Sequence, residues 1–318
     1  MKAGIVVEKQ KIDIVEVEEP DIAAHPSGAI KIKTELSTIC GSDIPKFMLE
    51  QNEYPGRLGT SIHEVIGTVA QSNSDRFKPG DRVLALPTAI GGCAEYFVSQ
   101  DDFTIPLLDF HSPEQILMSQ PLGTVIWALR RLGSLIDKDV VILGAGPIGQ
   151  MTSHAVSNLG AKTITVVDLV DFRLEVAKRM GATATINAAT EDPVQRIEAI
   201  TEGRMADIAF EMVGHNTETM NTCIDTVKRM GTVLCFGVPD DAVVPINYQK
   251  VVLQNINLIG SWGPEIQADF PLAMRWIAEG RIDVSPIITH RMPFTEVQKG
   301  FEIFTQQRDR AIKIVLVY

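Results

Sequence analysis

The stretch VVILGAGPIGQM (residues 140–151) constrains this chain more than any other. An apolar, β-branched run ends in Gly144, Gly146 and Gly149 at G-x-G-x-x-G spacing, and a helical pattern opens directly behind it. The first glycine permits a tight turn, the second lets backbone approach a pyrophosphate, and the third lets helix and strand pack closely, while the helix N-terminus favours the phosphate charge. The motif alone is weak; its setting strengthens it. In TITVVDLVDFRL (163–174), Asp168 closes the next strand, where a carboxylate accepts hydrogen bonds from adenosine ribose hydroxyls. That carboxylate would repel a 2′-phosphate and no arginine follows it immediately, so NAD is expected over NADP. The three glycines, Pro147 and Ile148 among them, and Asp168 are candidate cofactor contacts.

The alternation continues around this motif. DVVILG, TITVVD, ATATIN, ADIAFEMV and GTVLCFG read as strands, with helices beginning near Pro147, Asp171, Pro193 and Asn216. Strand-helix alternation of this kind means an α/β doubly wound parallel sheet, here over residues 123–260. Residues 1–122 are different: short β segments such as AIKIKTELSTI, EVIGTVAQS and AEYFVS, separated by Gly, Pro and Asp, predict a small, mostly antiparallel barrel or sandwich. Beyond residue 260 come two helical patterns, ADFPLAMRWIAEG and TEVQKGFEIFTQQ, and the strand AIKIVLVY. Residues 261–318 are expected to pack back on residues 1–122 as a discontinuous catalytic domain around the inserted nucleotide-binding one.

With 318 residues, 45% of them hydrophobic, two medium domains are expected. A net charge of −11 leaves no basic stripe for nucleic acid and no basic amphipathic helix for a membrane surface, so small-molecule partners are favoured. Cys40, Cys93, Cys223 and Cys235 lie far apart, with no CxxC pair, and read as reduced thiols of a cytosolic protein. The first residues, MKAGIVVEKQKIDIVEVEEP, alternate like a strand hairpin and show neither an apolar signal core nor a cleavage site.

ELSTICGSDIPKF (35–47) raises the question of whether Cys40 is a core thiol or a metal ligand. A lone cysteine or histidine is more often packed than ligating. GTSIHEVIGTV, however, sets His63 beside Glu64 just before a strand, in the same β-rich domain. Thiolate, imidazole and carboxylate together form a zinc set that leaves a position for substrate. Ser42, two residues from Cys40, can take a proton from an alcohol held there, and Asp43 can orient the imidazole.

CGSD (40–43), HEVIGTV (63–69), FKPGDRV (77–83), GGCAEYF (91–97), QPL (120–122), GAGPIG (144–149), VVDLVDFRLEVAKRMGA (166–182) and MGTVLCFG (230–237) occur in that order. The chain thereby resembles the medium-chain dehydrogenase/reductase superfamily over nearly its whole length, in particular the zinc-dependent alcohol and polyol dehydrogenase branch. The resemblance implies a GroES-like catalytic domain and a Rossmann domain. It also implies catalytic-zinc ligands at Cys40 and His63, Glu64 as ligand or close carboxylate, Ser42 as first proton acceptor, and Asp168 and Arg173 on the adenosine ribose. Three departures matter: Ile62 replaces the glycine that usually precedes His-Glu, Gln120 stands where many sugar-alcohol members have glutamate, and LPTAIGGCAEYF passes straight through the region of the structural-zinc cysteines. Gln120 still offers a carbonyl oxygen to the metal, more weakly than a carboxylate, so one loosely held catalytic zinc and no structural zinc are expected, with Cys93 a packed residue.

The expected activity is hydride transfer between a secondary alcohol, of polyol or sugar-alcohol type, or its carbonyl product, and NAD. The rivals are a zinc-free quinone or enone reductase of the same superfamily and a non-catalytic NAD sensor. Loops 44–58 and 261–265 are expected to shape the substrate pocket, with Phe47 and Trp262 as lining candidates alongside ordinary core packing; His290 reads as structural. The resemblance also implies a homodimer or homotetramer, through the strand-like VVLQNINLIGSW, where a free sheet edge would invite pairing.

Overall fold

A computed structural model describes residues 1–23, 25, 27–48 and 54–318. The chain divides into two compact units, one of Met1–Gly123, Glu265–Glu279 and Ile288–Tyr318, the other of Thr124–Pro264 and Gly280–Ile287.

In the first unit the opening alternation forms an antiparallel hairpin, Lys2–Glu8 with Lys11–Glu16. The main sheet has seven strands, in the order Ile288–Pro293, Lys313–Val317, Ala29–Thr38, Glu64–Ser72, Arg82–Ala85 and Thr104–Pro106, with Tyr96–Gln100 also paired to Ala29–Thr38. All pairs are antiparallel except the first. Ala29–Thr38 is buried along most of its length because it has neighbours in the sheet and Ile30, Ile32, Phe97, Ile314 and Leu316 in the core beside it. Its last residue is positioned twice over: Thr38 lies opposite Glu64 on one neighbour and opposite Val315 on the other. The strand ends that carry residues 38, 64 and 313 are thereby drawn together.

The second unit is a six-stranded, all-parallel sheet ordered Ala184–Asn187, Thr163–Asp168, Asp139–Leu143, Ala206–Glu211, Val227–Cys235 and Asn257–Gly260. Chain order reverses on either side of Asp139–Leu143, the strand that feeds the glycine turn, and ligands of such sheets bind at the carboxyl ends of the strands at that reversal. The helices Pro147–Asn158, Asp171–Arg179, Pro193–Ile200 and Glu218–Thr226 follow the expected pattern.

VVLQNINLIGSW departs from its strand-like appearance. Tyr248–Gln254 is a helix, because Asn247 caps it by accepting the Lys250 N–H and Asn255, left-handed at φ 53°, closes it; only Asn257–Gly260 is strand. Capping at both ends outweighs the β preference of Val251 and Val252. The strand expected over residues 231–237 begins earlier, at Val227, and its regular register starts at Thr232 opposite Ile208.

Candidate functional site

Cys40 follows the strand Ala29–Thr38, and a single 3-10 turn, Gly41–Asp43, reverses the chain behind it. Within that turn the Asp43 N–H donates to the Cys40 carbonyl at 3.1 Å, and Asp43 Oδ2 accepts the Cys40 N–H at 2.9 Å. Ser42 is exposed at the turn. His63 sits immediately before Glu64–Ser72, on backbone held by a 2.7 Å hydrogen bond from the Gly92 N–H to the Ile62 carbonyl, with the Ile62 side chain in the core. Ile62 therefore anchors the backbone that presents His63.

The ligand atoms of Cys40, His63 and Glu64 lie within 4.8 Å of one another, the one such cluster among the described residues. Nδ1 of His63 faces the Ser61 carbonyl at 3.1 Å and Asp43 Oδ1 at 3.7 Å, the latter an ion-pair distance rather than a hydrogen bond. Burial disfavours the charged ring, but Asp43 and then Cys40 outweigh it and raise the His63 pKa well above the ordinary histidine value. A cation requires the neutral ring, so metal and proton compete for it.

Glu64 is held from behind. Its Oε2 pairs with Lys313 Nζ at 2.5 Å and accepts a short hydrogen bond from the Thr38 hydroxyl. Burial alone would lower the Lys313 pKa; Glu64, Cys40 and Asp43 more than offset it and keep the ammonium above its ordinary value. Sequence reasoning missed Lys313 and Thr38. Gln120, the second residue of the helix Ser119–Arg130, is buried in the same unit. Asp43 Oδ1, Glu64 Oε1 and Gln120 Oε1 are buried oxygens with no hydrogen-bond partner among the described residues. Unpaired buried acceptors are costly, and with the Cys40 sulfur and the His63 imidazole beside two of them the donor set fits a divalent cation such as zinc.

In the second unit, Gly144 adopts φ +100°, a Cβ on Gly149 would stand 1.8 Å from the Gly144 carbonyl, and a Cβ on Gly146 would meet nothing within 4 Å among the described residues. The tight turn, the close helix approach and the open face each fall where a pyrophosphate-binding turn needs them. Pro147 and Ile148 open the helix Pro147–Asn158, and Gln150 ties the turn to the next helix by donating to the Ala145 and Arg173 carbonyls. Asp168 Oδ2 accepts the Ala145 N–H at 2.6 Å and Oδ1 the Val170 N–H at 3.0 Å, which fixes the carboxylate and leaves further lone pairs for ribose hydroxyls. Burial lowers the Arg173 pKa while Asp168 opposes that shift.

The other residues singled out in the sequence lie in varied settings. Phe47 is 2% exposed and packs on Phe301 at 4.9 Å between ring centroids, so it is a core residue and not a pocket wall. Trp262 is 82% exposed, and its carbonyl accepts the Trp127 indole N–H. Of the loop 44–58, residues 49–53 lie outside the described residues. Cys93 is fully buried, which pushes its thiol up to about 12. His290 pairs with Asp309 at 3.2 Å. No helix among the described residues is long and apolar enough to cross a membrane.

Residues 26–109 match the alcohol dehydrogenase GroES-like domain and residues 147–279 the zinc-binding dehydrogenase domain. A sorbitol dehydrogenase of Bacillus subtilis is 28% identical, with 99% of this chain and 97% of that protein covered. An uncharacterized zinc-type alcohol dehydrogenase-like protein, YdjJ of Escherichia coli, is 30% identical, with 93% of each covered. In fold, the chain is similar to the alcohol dehydrogenase TADH of Thermus sp. ATN1, at a TM-score of 0.90 and 24% identity over the full length of both. The chain belongs to the zinc-type alcohol and polyol dehydrogenase family of the medium-chain dehydrogenase/reductase superfamily.

Proposed function

We propose that this chain oxidises a secondary alcohol of polyol type, or reduces the matching carbonyl, with NAD as hydride carrier and one zinc ion at Cys40, His63 and Glu64. The observation that carries the reading is the convergence of those three ligand atoms within 4.8 Å, beside buried oxygens that lack partners. The name of the sorbitol dehydrogenase relative supports the substrate class. When bound, zinc supplies Lewis acidity that lowers the pKa of the alcohol hydroxyl and stabilises the developing negative charge, and NAD supplies the hydride acceptor.

The chain's own groups do the rest. Ser42, exposed two residues from Cys40, takes the hydroxyl proton and passes it to solvent. Asp43 keeps the His63 ring oriented, and Glu64 presents its remaining oxygen. The turn at Gly144, Gly146 and Gly149 holds the pyrophosphate at the start of the helix Pro147–Asn158. Asp168 and Arg173 hold the adenosine ribose. Asn257–Gly260 is an edge strand with Tyr248, Leu253 and Leu258 exposed around it, which supports pairing of two copies of the chain there.

Elemental analysis of protein purified without chelator, before and after zinc addition, tests the metal; polyol oxidation with NAD tests the activity. Near one zinc per chain is expected, with Cys40→Ala losing both zinc and turnover while cofactor fluorescence titration shows NAD binding retained. Absence of zinc in both samples returns Cys40 to a packed thiol.

A further inference from the structure

Lys313 is the first residue of a sheet strand and is 1% exposed, as is the carboxylate it meets. Withdrawing an ammonium from water is costly, and a buried ion pair is seldom more stabilising than apolar residues of the same volume. Filling this end of the core does not call for a lysine. What it meets does: Glu64 at 2.5 Å, a member of the cluster that also holds Cys40 and His63.

The two oxygens of Glu64 are unlike. Oε2 receives both Lys313 and the Thr38 hydroxyl, whereas Oε1 is buried and receives nothing among the described residues. The carboxylate is therefore fixed in orientation and has one free oxygen.

We propose that Lys313 is a positioning residue that clamps Glu64 by one oxygen and serves as its resident counter-cation in the Cys40–His63–Glu64 cluster, competing electrostatically with the metal ion for that carboxylate. This rests on the metal reading above. Two consequences follow from charge and geometry. Glu64 and Asp43, joined by Cys40 once a metal takes the place of its proton, present up to three negative charges; Lys313 cancels one, so an arriving dication meets a weaker field. With Oε2 engaged, Glu64 offers one oxygen instead of chelating with two. The cluster is thereby tolerable without an ion and holds one in an exchangeable way.

The test is a chelator-competition titration with zinc on the full chain, with melting curves recorded with and without zinc, for wild type, Lys313→Met, Lys313→Gln and Lys313→Arg. The glutamine variant keeps a donor toward Glu64 and serves where the methionine variant does not fold. Both neutral variants are expected to bind zinc at least about tenfold more tightly, equivalent to about 1.4 kcal/mol, and to gain more melting temperature from zinc than wild type does. Lys313→Arg keeps the charge and binds as wild type does. A purely structural lysine would lower the melting temperature with and without zinc alike and leave affinity unchanged; that result, or weaker binding in folded Lys313→Gln, overturns the proposal. Wild type that binds no zinc, or binds it equally after Cys40→Ser, overturns the metal reading itself and this proposal with it.

Discussion

Asp43 stands behind His63, with Oδ1 at 3.7 Å from the imidazole Nδ1 while Oδ2 accepts the backbone N–H of Cys40 at 2.9 Å. One carboxylate thus ties together the two loops that carry Cys40 and His63. A neutral ring with its proton on Nδ1, toward Asp43 and the Ser61 carbonyl, would leave the Nε2 lone pair for a cation. Asp43→Asn removes the charge that favours this arrangement. Zinc affinity is expected to fall about 10- to 100-fold with the fold retained, read by chelator competition beside circular dichroism. Equal affinity in the variant would mean that Asp43 merely caps the turn.

Asp168 has a different task, because the Ala145 and Val170 N–H groups already aim its carboxylate. In Asp168→Asn an amide NH2 must face one of those donors, and the charged acceptor for ribose hydroxyls is gone. Affinity for NADH should drop about 10- to 100-fold, the range for hydrogen bonds to a charged group, and discrimination against NADPH should shrink. Fluorescence titrations with both cofactors check this. Bound zinc should be unchanged, and its loss would instead indicate global damage.

Much of this architecture is legible because local chemistry and global fold agree. The glycines at 144, 146 and 149 each meet a backbone need of the turn, and the strand-helix alternation could be read by period alone. The clustering of Cys40, His63 and Glu64 was suggested by the His-Glu pair and by the two motifs lying in one β-rich domain. Lys313 was not. In AIKIVLVY it looks like the solvent-facing lysine of an alternating strand, and only the pairing of that strand with Ala29–Thr38 puts it against Glu64. Phe47 could be read either way: an aromatic beside a site motif invites a pocket role as well as core packing, and its packing on Phe301 is set by the helix Val297–Thr305, far away in sequence.

His154 gives the second unit an acid-sensitive point. It lies on the helix Pro147–Asn158, its Nδ1 is buried without a partner among the described residues, and burial lowers its pKa although Asp283 pulls the other way. With the folded pKa below the unfolded one, the unfolded chain takes up the proton first as pH falls. The stability present above the ordinary histidine pKa is then lost progressively until pH passes through the folded value. One proton limits the slope to about 1.4 kcal/mol per pH unit. Calorimetric melts from about pH 8 to about pH 5, spanning the ordinary histidine pKa, should therefore fall less steeply for His154→Gln than for wild type. Parallel curves would assign the acid sensitivity elsewhere.

Gln120 offers a two-sided test of where the metal sits. Its side chain is buried and Oε1 has no partner among the described residues, so Gln120→Glu converts an orphaned carbonyl oxygen into a buried carboxylate. Away from a cation such a charge costs several kcal/mol or forces protonation, and the variant should melt lower whether or not zinc is present. Facing the ion, the same carboxylate is an additional charged ligand. Without zinc the protein should still melt lower, but zinc should restore or exceed the wild-type melting temperature and be retained through dialysis better than in wild type. We expect the second pattern. The first would place Gln120 outside the metal's reach and leave Cys40, His63 and Glu64 as its protein ligands.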